Sequence, residues 1–121
     1  MLSSETDMSI GTAEGRFLER YVDSDWGGLT AAFERVSAGF DTTPLFKEFP
    51  EGNCQVPHWG YLLKGRMLIR YREVEEEIRA GEVYYLSPGH NVAFLEDSET
   101  VAFSPTNEHA GMLEIAKKDS V

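Results

Sequence analysis

The stretch from Cys54 to His90 constrains the fold most, because short runs of alternating side chains are separated there by residues that favour turns. Its sequence is CQVPHWGYLLKGRMLIRYREVEEEIRAGEVYYLSPGH, with turn signals at Gly65, at Gly81 and at Ser87-Pro88-Gly89. A period of two residues between glycine-rich turns is typical of short β-strands. The pattern therefore predicts an all-β domain in which this stretch forms the body.

The run from His58 to Leu63 has the clearest two-residue alternation. Neighbouring side chains of a strand point to opposite faces, so His58, Gly60 and Leu62 share one face while Trp59, Tyr61 and Leu63 share the other. We expect Gly65 to end this strand and residues 67–72 to form its partner. Further strands are predicted at 76–79, 83–86, 91–97 and 100–105.

The flanking segments carry weaker signals. Residues 1–15 have no period and predict a flexible or edge-pairing N-terminal arm, which leaves 16–121 as the domain proper. A strand is favoured over a short helix at 16–22, and a second strand is predicted at 29–36. Two prolines within 40–53 indicate either an edge strand or a loop that leads into the body of the β domain. A helical turn is expected around 110–118, with His109 exposed beside it.

Length and charge limit the classes of function. The chain has 121 residues, enough for one domain that buries roughly two thirds of the surface its unfolded form exposes. Its net charge of −10 repels nucleic acid and anionic lipid, so neither is expected as a partner. No apolar run approaches the roughly 20 residues of a membrane helix. A single cysteine and an N-terminus without signal-peptide character favour the cytoplasm.

The strand that begins at His58 and the turns that follow it resemble the motifs of a known family. The strand from His58 with Lys64-Gly65-Arg66, followed by Ala80-Gly81-Glu82 and Ser87-Pro88-Gly89, is similar to the two motifs of the cupin superfamily. The closer likeness, through CQVPHWGYLLKGRM and PGH, is to small single-domain bacterial cupins. The resemblance covers about residues 30–106 and implies a cupin-type jelly-roll β-barrel, also called a double-stranded β-helix, with metal ligands on its inner face.

The metal motif of that family is only partly matched. Counting back from Gly65, the glutamate position is taken by His58, and the paired histidine positions are taken by Gly52 and Cys54. In the second motif the proline position is Ser87 and the histidine position is Val92. His90 lies two residues earlier and so shares a face with Val92. The usual site of three histidines and one glutamate is therefore not expected.

Three side chains remain as candidate metal ligands: Cys54, His58 and His90. One thiolate with two imidazoles suits zinc, nickel or copper better than the usual cupin iron, and leaves a coordination position for water or substrate. The ligand pocket is predicted to comprise His58, Gly60, Leu62, Tyr84 and His90, with Gly60 leaving space beside the imidazole. Tyr84 or Tyr85 is expected to donate a hydrogen bond to the ligand. The alternative for each of these residues is ordinary core packing.

Two functions stay open. One is a metal-assisted enzyme of oxygenase, isomerase or lyase type that acts on a small molecule, and a metal-free isomerase using histidine as acid or base is a variant of it. The other is a non-catalytic cupin that binds a small molecule as a sensor or storage module, without metal. Fold alone does not decide between them. Two tryptophans and several strand tyrosines predict a homodimer.

Overall fold

Two antiparallel sheets and one C-terminal helix make up the described part of the chain. The computed structural model describes residues 9–13, 17–21 and 26–119. In chain order the elements are β1 (Ser9–Ala13), β2 (Phe17–Tyr21), β3 (Leu29–Val36), β4 (His58–Lys64), β5 (Arg66–Arg70), β6 (Glu75–Arg79), β7 (Val83–Leu86), β8 (Asn91–Phe94), β9 (Ser98–Pro105) and α1 (Thr106–Asp119).

The two sheets bury one core between them. The larger sheet has the strand order β1-β2-β3-β9-β4-β7, and the smaller one has the order β6-β5-β8. Apolar side chains of both sheets and of the segment before β4 meet in one cluster, in which Phe40, Leu62 and Ile69 are almost completely buried. This arrangement confirms the predicted all-β fold class.

The chain passes from one sheet to the other at Gly65, which corrects one predicted pairing. Residues 67–72 were expected to pair with the strand that begins at His58. Instead β4 pairs with β7 and β9, while β5 pairs with β6 and β8. Gly65 has φ +95°, and a Cβ there would lie 2.6 Å from the Asp97 carbonyl oxygen. The crossing thus needs both the left-handed backbone and the missing side chain of glycine.

The flanking segments differ in how they match the predictions. The strands predicted at 16–22 and 29–36 are present as β2 and β3. Residues 40–53 take the looping path, with two short 3-10 turns at Thr43–Leu45 and Pro50–Gly52. Within the predicted N-terminal arm, β1 forms an edge strand beside β2, and residues 1–8 lie outside the described ranges.

The C-terminal helix, Thr106–Asp119, is longer than the predicted turn around 110–118. It packs against β9, β3, β1 and the Thr43–Leu45 turn. His109, expected to be exposed, is only 4% exposed because it bonds to Glu19 beneath the helix. Met112, one turn further on, joins the core. Across the described ranges, helix length and hydropathy nowhere reach what a bilayer crossing requires.

Replacing Gly65 with alanine tests the crossing. Placing a Cβ at positive φ costs about 1–2 kcal/mol, and the contact with the backbone of residues 97 and 98 adds about 1–3 kcal/mol. The matched control is Gly81→Ala, at φ +92° with no atom within 4 Å of the added Cβ. We expect the melting temperature of G65A to fall further than that of G81A, by about 4 °C per additional kcal/mol. Equal melting temperatures for the two variants would contradict this account.

Candidate metal centre and ligand cavity

The three predicted metal ligands come together in the folded chain. One ligand atom from each of Cys54, His58 and His90 can be chosen so that all three lie within 4.8 Å of one another. The Cys54 Sγ is 3.9 Å from His58 Nε2, and the two imidazole centroids are 5.3 Å apart with an interplanar angle of 68°. The cluster contains no carboxylate, so its donors are one sulfur and two nitrogens.

Backbone hydrogen bonds bring Cys54 next to His90. The two residues form an isolated antiparallel bridge, in which the Cys54 N–H donates to the His90 carbonyl at 2.7 Å. The His90 N–H donates back to the Cys54 carbonyl at 3.2 Å. His58 begins β4 and is paired there with Leu86 of β7, the strand that leads to the turn before His90. The cluster is therefore fixed by strand register as well as by packing.

Hydrogen bonds orient both imidazoles. His90 Nδ1 lies 2.7 Å from the Ser87 carbonyl oxygen, which can only accept, so Nδ1 carries the proton and Nε2 keeps its lone pair. His58 Nδ1 lies 2.6 Å from the hydroxyl of the buried Ser104 on β9. Partners of this kind commonly fix the tautomer of metal-ligating histidines.

Burial keeps the donor atoms uncharged in the metal-free protein. Burial, with a smaller contribution from His90, lowers the pKa of His58 to about 3. Burial also lowers the pKa of His90 and raises the pKa of the Cys54 thiol to about 12. A metal ion would therefore meet neutral imidazoles, but it would have to displace the thiol proton.

The donor set fits a transition metal. Zinc binds cysteine sulfur at about 2.3 Å and histidine nitrogen at about 2.0 Å, so its ligand atoms stand roughly 3.3–3.7 Å apart. The 3.9 Å between Cys54 Sγ and His58 Nε2 is close to that spacing. A soft thiolate with imidazoles also suits copper and nickel, whereas magnesium and calcium prefer oxygen ligands.

A cavity of about 60 Å³ lies between the sheets beside the two imidazoles. Its walls are mostly apolar, with a few polar groups from β3, β4, β7 and the loops that carry Thr42 and His90. The lining residues are Glu34, Thr42, Phe46, His58, Met67, Tyr84, Leu86, His90, Val92, Phe94, Ala102 and Met112. A space of this size holds a ligand of only a few non-hydrogen atoms.

Of the five residues predicted to form the ligand pocket, three line the cavity and two do not. His58, Tyr84 and His90 line the cavity, whereas Gly60 and Leu62 are outside its lining. Leu62 is fully buried in the core. The space that Gly60 leaves is filled by the end of the Tyr84 ring, which lies too close for a Cβ to fit. Gly60 thus makes room for Tyr84, and the space beside the His58 imidazole comes from the gap between the sheets.

Tyr84 and Tyr85 take opposite roles. The Tyr84 hydroxyl is 2.6 Å from the Thr100 hydroxyl, and burial raises its pKa. Tyr85 lies on the outer face, where its ring stacks on Trp59 with centroids 5.3 Å apart. Of the two alternatives, Tyr84 is the one that reaches the cavity.

Sequence reasoning missed Glu34 and Met112 in the cavity wall. A signal for Glu34 was available, because it has the same parity along β3 as the buried residues Ala32 and Val36. No comparable signal existed for Met112. Its place in the wall depends on how α1 docks, which the sequence pattern does not specify.

The comparisons with known proteins agree with this architecture. No protein-family model matches the chain, and the curated proteins hold no significant match. Among solved structures, an RmlC-like cupin from Shewanella frigidimarina superposes with a TM-score of 0.64 at 14% identity, over 90% of this chain and 94% of that one. KdgF from Halomonas superposes with a TM-score of 0.60 at 15% identity, over 87% and 93%.

A third similar structure belongs to a longer protein. Oxalate decarboxylase from Bacillus subtilis superposes with a TM-score of 0.63 at 16% identity, over 85% of this chain but only 28% of that one. The architecture and these likenesses define a small two-sheet jelly-roll protein. It has the cupin fold, which confirms the resemblance to the cupin superfamily at the level of the fold.

The buried histidines predict acid-sensitive stability of the metal-free protein. The pKa of His58 is about 3 in the folded chain against 6.5 for an exposed histidine, so the unfolded chain binds more protons between these values. The contribution of His58 to the free energy of unfolding is therefore fully present above pH 6.5 and is lost as the pH falls towards 3. Each such histidine contributes a slope of up to about 1.4 kcal/mol per pH unit.

Urea unfolding between pH 5 and pH 6 with a chelator measures this slope. In His58→Gln we expect unfolding to take up nearly one proton fewer, so the free energy of unfolding should vary less steeply with pH, by up to about 1.4 kcal/mol per pH unit. In the control variant Lys64→Gln, at an exposed position, the slope should match the wild type. Identical slopes for wild type and H58Q would show that the His58 imidazole is already protonated in the folded chain.

Proposed function

We propose that this cupin-fold protein binds one divalent transition metal through Cys54, His58 and His90, and holds a small molecule in the adjoining cavity. The observation that carries the proposal is the convergence of the three ligand atoms, within 4.8 Å, at the wall of that cavity. Zinc, nickel and copper are the metals that the donor set favours. A bound metal would supply Lewis acidity at its open coordination position.

The chain's own residues support this proposal in two ways. The Ser87 carbonyl accepts the Nδ1 proton of His90, which leaves His90 Nε2 for coordination, and the contact of His58 Nδ1 with Ser104 leaves His58 Nε2 directed towards Cys54 Sγ. The apolar cavity walls exclude most water from the neighbourhood of the cluster. Among the similar structures, the decarboxylase from Bacillus subtilis is described with Mn(II) centres, so the fold itself accommodates metal.

Metal content of histidine variants tests the proposal. Protein purified without an affinity tag and loaded with zinc should carry close to one ion per chain. His58→Ala and His90→Ala should each weaken zinc binding by more than the roughly 10–100-fold typical of losing an indirect partner. His109→Ala is the matched control, since it removes a buried histidine outside the cluster. The readouts are elemental analysis and competition with a chelator.

Cobalt substitution tests the thiolate. Cobalt-loaded wild type should show a sulfur-to-metal charge-transfer band in the near ultraviolet, and Cys54→Ala should lack it. Unchanged metal stoichiometry in both H58A and H90A would remove these residues from the site. A wild type that binds no zinc would instead favour the alternative function, that of a metal-free cupin that binds a small molecule.

We further propose that two copies of the chain associate through the outer face of the larger sheet. Cross-strand partners there are apolar: Trp59 lies opposite Tyr85 and Phe103, and Tyr61 lies opposite Val83. All five are exposed, Val83 by 80%. A contiguous apolar patch of this kind marks an interaction surface. Since the chain carries a net charge of −10, an uncharged face is where two copies repel each other least.

Sedimentation velocity tests the homodimer. Wild type should sediment as a dimer at micromolar concentration, and Trp59→Lys should shift it to monomer, because the substitution places two like charges at the centre of the interface. Val74→Lys is the control, because Val74 is an exposed apolar residue in the turn between β5 and β6, outside the patch. A wild type that stays monomeric over a wide concentration range would disprove the proposed association.

A further inference from the structure

Two carboxyl groups lie side by side at the β3 wall of the cavity, that of Glu19 buried and that of Glu34 half-buried. Glu19 of β2 and Glu34 of β3 are direct cross-strand partners, so their side chains are on the same face of the sheet. Glu19 is completely buried, and Glu34 lines the cavity that contains His58 and His90. His109 of α1 completes the group, with its Nε2 2.6 Å from Glu19 Oε1.

One buried oxygen of this group lacks a hydrogen-bond donor. Glu19 Oε2 is buried and has no hydrogen-bond partner among the described residues, and Glu34 is its cross-strand neighbour on the same face of the sheet. Two ionised carboxylates have no proton to share, whereas a proton on Glu34 would supply the missing donor. In the arrangement that satisfies both oxygens of Glu19, His109 donates to Oε1 and the protonated Glu34 donates to Oε2.

Electrostatics favours Glu34 as the residue that carries the proton. Burial, together with the neighbouring Glu19, raises the pKa of Glu34 well above its usual range, while burial raises the pKa of Glu19 to about 7. The other titratable groups that face the cavity are Tyr84 of β7 and the imidazoles of His58 and His90, and burial favours the neutral form of all three.

Stability does not require such a group. Burying an acid pair with a histidine costs desolvation energy that apolar residues of similar volume would avoid. The β3 wall also has apolar neighbours at Ala32 and Val36, which shows that such side chains pack at this face. The acid at the cavity surface therefore suggests a role towards a bound molecule.

We propose that Glu34 is a ligand-recognition residue, which as a neutral carboxylic acid donates its O–H to an oxygen of a small carboxylate bound in the cavity. This rests on the proposed function, in that the ligand occupies the cavity beside the metal cluster. A divalent metal with one thiolate leaves one positive charge, which a monocarboxylate neutralises. When Glu34 turns its O–H to the ligand, Glu19 keeps the N–H of His109, so Glu19 and His109 act as positioning residues.

Infrared spectroscopy of the metal-free protein at pH 8 tests the proton independently of metal binding. Wild type should show the carbonyl stretch of a protonated carboxylic acid, and Glu34→Gln should lack it. The control Glu48→Gln, at an exposed position, should keep it. Glu19→Gln should shift its frequency, because the acceptor changes from a carboxylate to an amide. A spectrum of E34Q that still contains the wild-type band would overturn the proposal.

Acetate is the probe for the ligand, with binding measured by calorimetry on zinc-loaded and metal-free protein at pH 8. The side-chain amide of the E34Q variant keeps an N–H donor of similar size, so its acetate affinity should stay within about threefold of wild type. Glu34→Leu keeps the volume but removes the donor, and its affinity should fall by about tenfold or more.

Three outcomes contradict the assignment. Acetate that binds E34Q at least about tenfold more tightly than wild type would mean that Glu34 is ionised and repels the anion. Equal affinities of E34L and wild type would mean that Glu34 does not contact the ligand, and no acetate binding to either form of the wild type would exclude small carboxylates. Failure of the proposed metal site would instead appear in the zinc content, with the infrared band intact.

Discussion

The backbone bridge between Cys54 and His90 is the constraint on which the candidate site depends. It joins two loops that are far apart in sequence, and it does so with two main-chain hydrogen bonds rather than through side chains. The main chain therefore joins the two loops without using the Cys54 thiol or the His90 imidazole. Because His58 is fixed separately by its register against β7, all three donors are positioned before any metal or ligand arrives.

Burial of these donors has a chemical consequence. Neutral imidazoles are available to coordinate a metal at physiological pH, since each keeps one nitrogen without a proton. The thiol is different, because burial stabilises its protonated form, and only the charge of a metal ion would favour the thiolate. The same apolar surroundings thus favour two of the ligands and oppose the third, which makes Cys54 the member of the cluster whose ligation depends most on the metal's identity.

The sequence was most informative where structure is local. Alternation from His58 to Leu63 correctly separated the inner face from the outer one, and glycine-punctuated runs located most strands. Strand pairing was harder: β5 follows β4 directly but belongs to the other sheet, because Gly65 redirects the chain. The burial of His109 could not be predicted, since its partner Glu19 is 90 residues away. Glu34 had the parity of a buried residue, yet a lone acid in a strand gives no sign of the carboxyl opposite it.

The register of β4 links the interior of the molecule to its surface. Side chains in a strand alternate, so a slip by one residue would place Trp59 in the cavity and turn His58 to solvent. Such a slip is blocked at Gly60, where the Tyr84 ring occupies the space of a Cβ and any larger residue would collide with it. On the opposite side of the strand, Trp59 stacks on Tyr85, the neighbour of Tyr84 on the same β7 strand. The pairing of β4 with β7 therefore keeps the candidate metal ligand His58 inside and the aromatic patch outside.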